Sequence, residues 1–254
     1  HEAYLKAHRE SRAEPPFPKV RAFPGGGAPK PPRLHYELRR EMGGAGIISG
    51  YGMTECPIVT MNRVGDPDDK LAETEGPRSL PEVEFYIARN DETRAAPGEE
   101  GEIRVRGPQL FRGYLDASLD AVAFDDDGYH RTGDLGRVDA QGYLTITGRL
   151  KDVIIRKGEN IPAKEVEDLL YPHPKVADVA VIGLPDPASG ERCCAVVACV
   201  DASDPLSFEE MQQFLREQDL MIQKIPEQLE ILEAIPRNAT GKILKHELRA
   251  RYDR

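Results

Sequence analysis

Tryptophan is missing from this chain of 254 residues, and aromatic residues of all kinds make up only 6% of it. That scarcity excludes no fold. Basic residues are in the minority, 34 Lys and Arg against 44 Asp and Glu, for a formal charge of −10. The deficit speaks against a general nucleic-acid binder, because phosphate backbones need a basic face. It leaves nucleotides open, since a few local groups suffice to hold one. Long apolar runs are also lacking, which speaks against a transmembrane segment, and the opening residues read as a helix rather than a signal peptide. Cysteine is sparse: Cys56, Cys193, Cys194 and Cys199, with no pair at zinc-ligand or redox spacing. Three of the four fall in an apolar, strand-like run, so buried free thiols and a cytoplasmic setting are expected. The sequon Asn238-Ala239-Thr240 then reads as accidental. An initiator Met is absent too. The chain opens at His1, inside what reads as a helix from Glu2 to Glu10, and is expected to be a fragment.

What is present suffices for folding. Hydrophobic residues reach 39%, enough to bury a core. Residues 11–33 are rich in Pro and Gly, with a short strand expected from Val20 to Phe23 ahead of Gly25-Gly26-Gly27. Leu34, Leu38 and Met42 repeat at helical spacing and predict a helix over 32–43. Ile47 and Ile48 predict a short buried strand ending at Gly50. This strand–helix–strand rhythm fits the tail of an α/β subdomain over 1–56. From 57 to 149 the pattern turns to short alternating strands, Glu82–Ala88, Glu102–Arg106 and Tyr143–Thr147. A small antiparallel, barrel-like subdomain is expected there. A small α+β domain is expected over 150–254. Its strands are Val153–Ile155, Val176–Leu184, Cys193–Val200 and Gln228–Ala234. Pro162 opens one helix, Ser207 with Glu210 caps a second, and Ile243–Arg251 forms a third.

Four short stretches carry chemistry. In Tyr51-Gly52-Met53-Thr54-Glu55, glycine admits close backbone approach and the ring offers a stacking face. Thr54 can donate to a phosphate, and Glu55 is a hard oxygen ligand suited to Mg²⁺; alone, the stretch also fits a turn with a core Tyr and a solvated Glu. Thr132-Gly133-Asp134-Leu135-Gly136 sets one carboxylate between glycines, a recurring way to hold ribose hydroxyls, or an ordinary Asp turn. Gly148-Arg149-Leu150-Lys151-Asp152 joins the two expected domains. Arg149 can reach ribose or phosphate, and Arg156, Lys157 and Lys164 add positive charge nearby; a solvated strand face explains them as well. Thr240-Gly241-Lys242 puts an ammonium on a short loop expected to be mobile. By itself Lys242 is a surface lysine.

Together and in this order, the motifs resemble the adenylate-forming superfamily of acyl-CoA synthetases, nonribosomal peptide synthetase adenylation domains and luciferases. The resemblance runs from Gly25 to Leu248 and is most specific in GRLKDVIIRKGENIPAKEVE, residues 148–167. It implies that Gly27, Ala28 and Pro29 line adenine and that Tyr51 stacks on it. It implies that Thr54 contacts the phosphates, with Gly52 beside the bound nucleotide and Glu55 on magnesium. Asp134 and Arg149 would hold the ribose, with Lys151 as hinge, Gly158 lining the pantetheine tunnel and Lys242 catalytic. The implied cofactors and partners are ATP or AMP, Mg²⁺, coenzyme A and a small-molecule carboxylic acid. The implied reaction forms an acyl-adenylate and pyrophosphate, then transfers the acyl group to a thiol. The stretch Lys157–Ile161 is more similar to acyl- and aryl-CoA ligases than to carrier-loading domains. The Ser/Thr/Gly-rich phosphate loop is not in this sequence. It is expected in a missing N-terminal half, without which the fragment is expected to be inactive. The alternatives are a carrier-protein-loading adenylation enzyme and a non-catalytic nucleotide- or partner-binding half-protein.

Overall fold

The computed structural model describes residues 1–11, 17, 19–27, 30–239 and 241–253 and places them in two units, His1–Ile146 and Thr147–Arg254. The first unit opens with α1 (Glu2–Ser11), β1 (Phe23–Gly25), α2 (Pro32–Met42), β2 (Ile47–Tyr51) and β3 (Thr60–Met61). Strand β1 runs parallel to β2, with Phe23 opposite Ile47, and β3 is antiparallel on the far side of β2. The strand expected from Val20 to Phe23 thus starts where it was predicted to end. Val20 donates its N–H back to Phe17 in a turn, and the Arg21 carbonyl is taken by Ala45, so ladder pairing begins only at Phe23. Gly43, at φ 79°, closes α2. The expected apolar stripe works as read: Leu38 and Met42 bury with Leu5, Phe23 and Ile47, and Leu34 packs against them. A buried histidine clips helix to strand. Nδ1 of His35 accepts from Ile47 N at 3.1 Å. The ring lies so close to Gly46 (φ +72°) that a Cβ there would sit 2.7 Å from it, a position open only to glycine.

After α3 (Asp68–Glu73) come β4 (Glu84–Ala88), β5 (Gly101–Arg106), α4 (Asp120–Ala123), β6 (His130–Val138) and β7 (Leu144–Arg149). The four strands form one sheet in sequence order, antiparallel across β4–β5 and β5–β6. With β4 and β7 at its edges the sheet is open; the barrel-like closure expected from the short alternating strands does not occur among the described residues. Val83, Ile87, Ile103, Val105 and Leu144 from this region bury against Tyr51, Cys56 and Val59, so the end of β2 and the sheet share a core. Strand β6 was not expected as a strand. Its glycines and charges hide the alternation that marks β4 and β5.

The second unit contains β8 (Val153–Arg156), β9 (Glu159–Pro162), α5 (Ala163–Leu170), β10 (Val176–Asp186), β11 (Gly190–Cys199), α6 (Phe208–Glu217), β12 (Gln228–Leu232) and α7 (Lys245–Tyr252). The sheet order is β10-β11-β8-β9, and β12 pairs parallel with β11. Strands β10 and β11 are covered on both faces, which accounts for their near-continuous apolar sequence. Val179, Val181, Cys193, Ala195 and Val197 face the core built with α5 and α6. Ala180, Ile182, Cys194 and Val196 face the opposite one, with Ile235 and Leu248. Adjacent Cys193 and Cys194 therefore point to opposite sides of the sheet. All four cysteines are free, and burial pushes the Cys194 thiol up to about 12. The capping box is present, with Ser207 Oγ accepting from Glu210 N and Glu210 Oε2 from Ser207 N. Helix α7 starts two residues later than expected because Ile243 bridges to Arg237 and Leu244 donates to the Pro236 carbonyl. No helix among the described residues is long and apolar enough to cross a membrane.

Candidate functional site

In the first unit the residues of interest gather where β2 ends beside β6. Between Glu102–Leu135 and Arg104–Arg131 the register slips, so β6 carries two extra residues. Gly133 takes φ +68° within this bulge. A bulge re-aims the side chain that follows it, and here that side chain is Asp134, only 4% exposed. Asp134 Oδ2 accepts from the Tyr51 hydroxyl at 2.8 Å. Two residues far apart in sequence, both singled out from the motifs, are thus in direct contact. The bulge is held from below: Thr132 Oγ1 donates to the Ile103 carbonyl at 2.7 Å and accepts from Asp134 N at 3.1 Å, while Gly133 N donates to Glu102 Oε1 at 2.9 Å.

Past Tyr51 the chain folds back at once. Val59 donates to the Tyr51 carbonyl, and Met53 and Cys56 exchange backbone hydrogen bonds. Gly52 is obligatory, because a Cβ there would lie 2.4 Å from Ile58 N. Thr54 is exposed on this turn. Glu55 accepts from the Tyr114 hydroxyl at 3.0 Å, and its carbonyl accepts from Phe111 N. Burial and then Glu55 raise the Tyr114 hydroxyl above its usual range. Burial drives His130 the other way, below the ordinary histidine value, with Glu55 opposing. The ring's Nδ1 lies 3.0 Å from the Ala123 carbonyl. Gly26 packs beside the Gly50 carbonyl, and Gly27, at φ +79°, borders open space. Lys30 returns the following loop to the core by donating to Ser49 Oγ at 2.6 Å and to the Thr74 carbonyl at 3.0 Å. Ala28 and Pro29 lie outside the described residues.

Arg149, Lys151, Gly158 and Lys242 belong to the second unit. Arg149 ends β7 half-buried, and Lys151 stands exposed in the 3-10 turn Leu150–Asp152. That turn is tied to α7, with Asp152 Oδ1 accepting from Arg249 at 2.9 Å. Burial pushes the Asp152 carboxyl up, but Lys245 and Arg249 outweigh it and hold it below the usual range. Beside this pair Glu167 Oε1 meets Lys245 Nζ at 2.7 Å and accepts from Val181 N at 2.8 Å, its own carboxyl raised by burial. Lys157 (φ 51°) and Gly158 (φ 84°) make the two-residue turn between β8 and β9, a left-handed pair that matches strand twist. Of the three extra basic residues, Arg156 pairs with Glu227 and Lys164 with Asp168. The Lys242 loop, expected to be mobile, is braced instead. Asn238 exchanges hydrogen bonds with Lys242 (backbone N to carbonyl, and Oδ1 from Lys242 N), Arg237 Nη1 donates to the Gly241 carbonyl, and Arg237 grips Asp178 of β10 at 2.8–3.2 Å. Thr240 lies outside the described residues.

Sequence reasoning missed Glu102, Tyr114 and His130. Glu102 lies on the polar face of an alternating strand, opposite core-facing Ile103 and Val105, so none of the three had a signal short of the fold.

The first part of the chain, residues 2–115, matches the family model of AMP-binding enzymes, and residues 165–242 match that of the AMP-binding enzyme C-terminal domain. The chain is 38% identical over 231 residues to a medium-chain fatty-acid–CoA ligase of Escherichia coli K12, covering 91% of this chain and 40% of that protein. It is also 38% identical, over 234 residues, to a salicyl-AMP ligase / salicyl-S-ArCP synthetase of Mycobacterium tuberculosis, covering 91% and 41%. Among solved structures it is similar to ATP-bound MatB from Rhodopseudomonas palustris, with a TM-score of 0.85, 33% identity, and coverage of 92% of this chain and 46% of that one. The chain thus spans less than half the length of these relatives.

Proposed function

Since the chain belongs to the AMP-binding, adenylate-forming enzymes, we propose that it supplies the C-terminal part of an acid–CoA ligase acting in the cytoplasm, where its four free thiols stay reduced. The observation that carries this reading is the buried Tyr51–Asp134 hydrogen bond on a glycine bulge. Vicinal ribose hydroxyls are donors that match a carboxylate presented on such a bulge. Tyr51 orients one carboxylate oxygen, and Gly27, Ala28, Pro29 and Gly52 let a purine and its phosphates approach backbone.

The reaction begins with a carboxylate attacking the α-phosphorus of ATP; the P–O bond to pyrophosphate breaks and an acyl-adenylate forms. Thr54 donates to phosphate oxygen, Asp134 and Arg149 hold the sugar, and the Lys242 ammonium offsets charge building on the α-phosphate and carboxylate oxygens. Glu55 offers one hard carboxylate, and no group of three metal-ligating side chains occurs among the described residues. That donor set fits a magnesium ion held by one side chain and by phosphates. When bound, the ion supplies neutralisation of phosphate charge. In the second step a thiol attacks the acyl carbon, AMP leaves, and the segment 150–254 has pivoted at Lys151 to present the Gly158 turn in place of Lys242. The divisions 1–56, 57–149 and 150–254 are the working parts in this scheme. Because the chain spans less than half the length of these relatives, the reaction is tested in the full-length enzyme. The similarity to a salicyl-S-ArCP synthetase favours a second reading, in which the thiol belongs to a pantetheinylated carrier protein.

In the full-length enzyme, Lys242→Ala should lower adenylate formation, measured by pyrophosphate exchange, by at least about 100-fold. Conversion of supplied acyl-adenylate to thioester should stay within a few-fold of the parent. Equal losses in both half-reactions would refute the alternation. Free CoA and a carrier protein offered in parallel identify the acceptor.

A further inference from the structure

Asp134 sits on a bulge, and a bulge does not hold its own shape: its extra residues leave ladder hydrogen bonds unmade. What holds this one is off the sheet ladder. Glu102 uses its two carboxylate oxygens on two different tasks. Oε1 accepts from Gly133 N, the amide just before Asp134, at 2.9 Å. Oε2 accepts from Arg104 Nε at 2.7 Å. Arg104 is itself 2% exposed, and its remaining nitrogens are taken by Glu92 at 2.9 Å and Asp125 at 3.3 Å. Asp125 in turn accepts from Tyr129 N and Asp127 N, closing the turn that leads into β6. Burial works against the Arg104 charge, and Glu102 and Glu92 outweigh it. The guanidinium therefore stays cationic and holds Glu102 in one rotamer. From the other side Thr132 ties the bulge to Ile103 and caps Asp134 N.

We propose that Glu102, fixed by Arg104 and seconded by Thr132, is a positioning residue for nucleotide recognition: it sets the Gly133 peptide so that Asp134 meets the ribose hydroxyls. Glu102 touches no substrate. It acts through one backbone amide, and its loss lets the bulge relax by rotation about Gly133, which glycine permits. This rests on the assignment of Asp134 to the ribose given above.

The test is sugar discrimination in the full-length enzyme, read as kcat/KM for ATP relative to 2′-deoxyATP and 3′-deoxyATP, with thermal melting alongside. Glu102→Gln and Glu102→Met both remove the charge facing Arg104, but only Gln leaves an acceptor for Gly133 N. The expected result is that Glu102→Met lowers the preference for ATP about tenfold, mainly through KM, while Glu102→Gln keeps most of it. Thr132→Val is expected to lower it similarly and serves in place of Glu102→Met should that variant not fold; Asp134→Ala should abolish it. Parental discrimination in Glu102→Met, or in Thr132→Val as its substitute, alongside its loss in Asp134→Ala, would overturn the positioning role alone. Parental discrimination in Asp134→Ala would remove the ribose assignment and this inference together.

Discussion

His35 and His130 are both held neutral by burial, each with one ring nitrogen engaged, at Ile47 N and the Ala123 carbonyl. A base whose folded value is depressed binds its proton first in the unfolded chain. Stability is therefore full above the unfolded histidine value, about 6.5, and declines as the pH falls below it. The slope is at most about 1.4 kcal/mol per pH unit for each such histidine. Urea midpoints should drop between pH 7.5 and 5.5, and His35→Gln, which keeps an acceptor for Ile47, should flatten that drop; an unchanged slope would contradict it. At this scale the sequence was informative where a residue's chemistry is set by its neighbours in the chain. Asp134 between glycines and Tyr51 after a buried strand could be picked out. Glu102 and Tyr114 could not be assigned roles, because their partners, Gly133 N and Glu55, are chosen by a register slip and a chain reversal that no local pattern encodes.

Among elements, the amphipathic helices and the doubly covered strands β10 and β11 were readable, since burial writes a helical period into the former and a continuous apolar run into the latter. The Ser207 cap was readable for the same local reason. Ser207→Ala should cost about 1 kcal/mol, seen as a lower denaturation midpoint in the second unit with helix content retained; no change would show that Glu210 alone suffices. Strand β6 escaped notice because its middle is devoted to a bulge instead of a ladder. The late start of α7 escaped too, since Ile243 and Leu244 are committed to the preceding loop. In both cases a non-local hydrogen bond overrides a local preference.

On the scale of the molecule, each unit has cores drawn wholly from its own residues: the first around Leu38 and around Val105, the second on the two faces of β10 and β11. Residues 147–254 produced alone should therefore unfold in one cooperative step with dispersed amide resonances. A broad, non-cooperative melt would show that the second unit depends on the first. The braced hairpin carrying Lys242 has a further consequence for such a body. Through Arg237 and Asp178 the backbone that carries the lysine is anchored to β10. Under the scheme proposed above, Lys242 would therefore travel with the second unit as cargo, and a ligand that arrested that unit would silence the lysine without ever touching it.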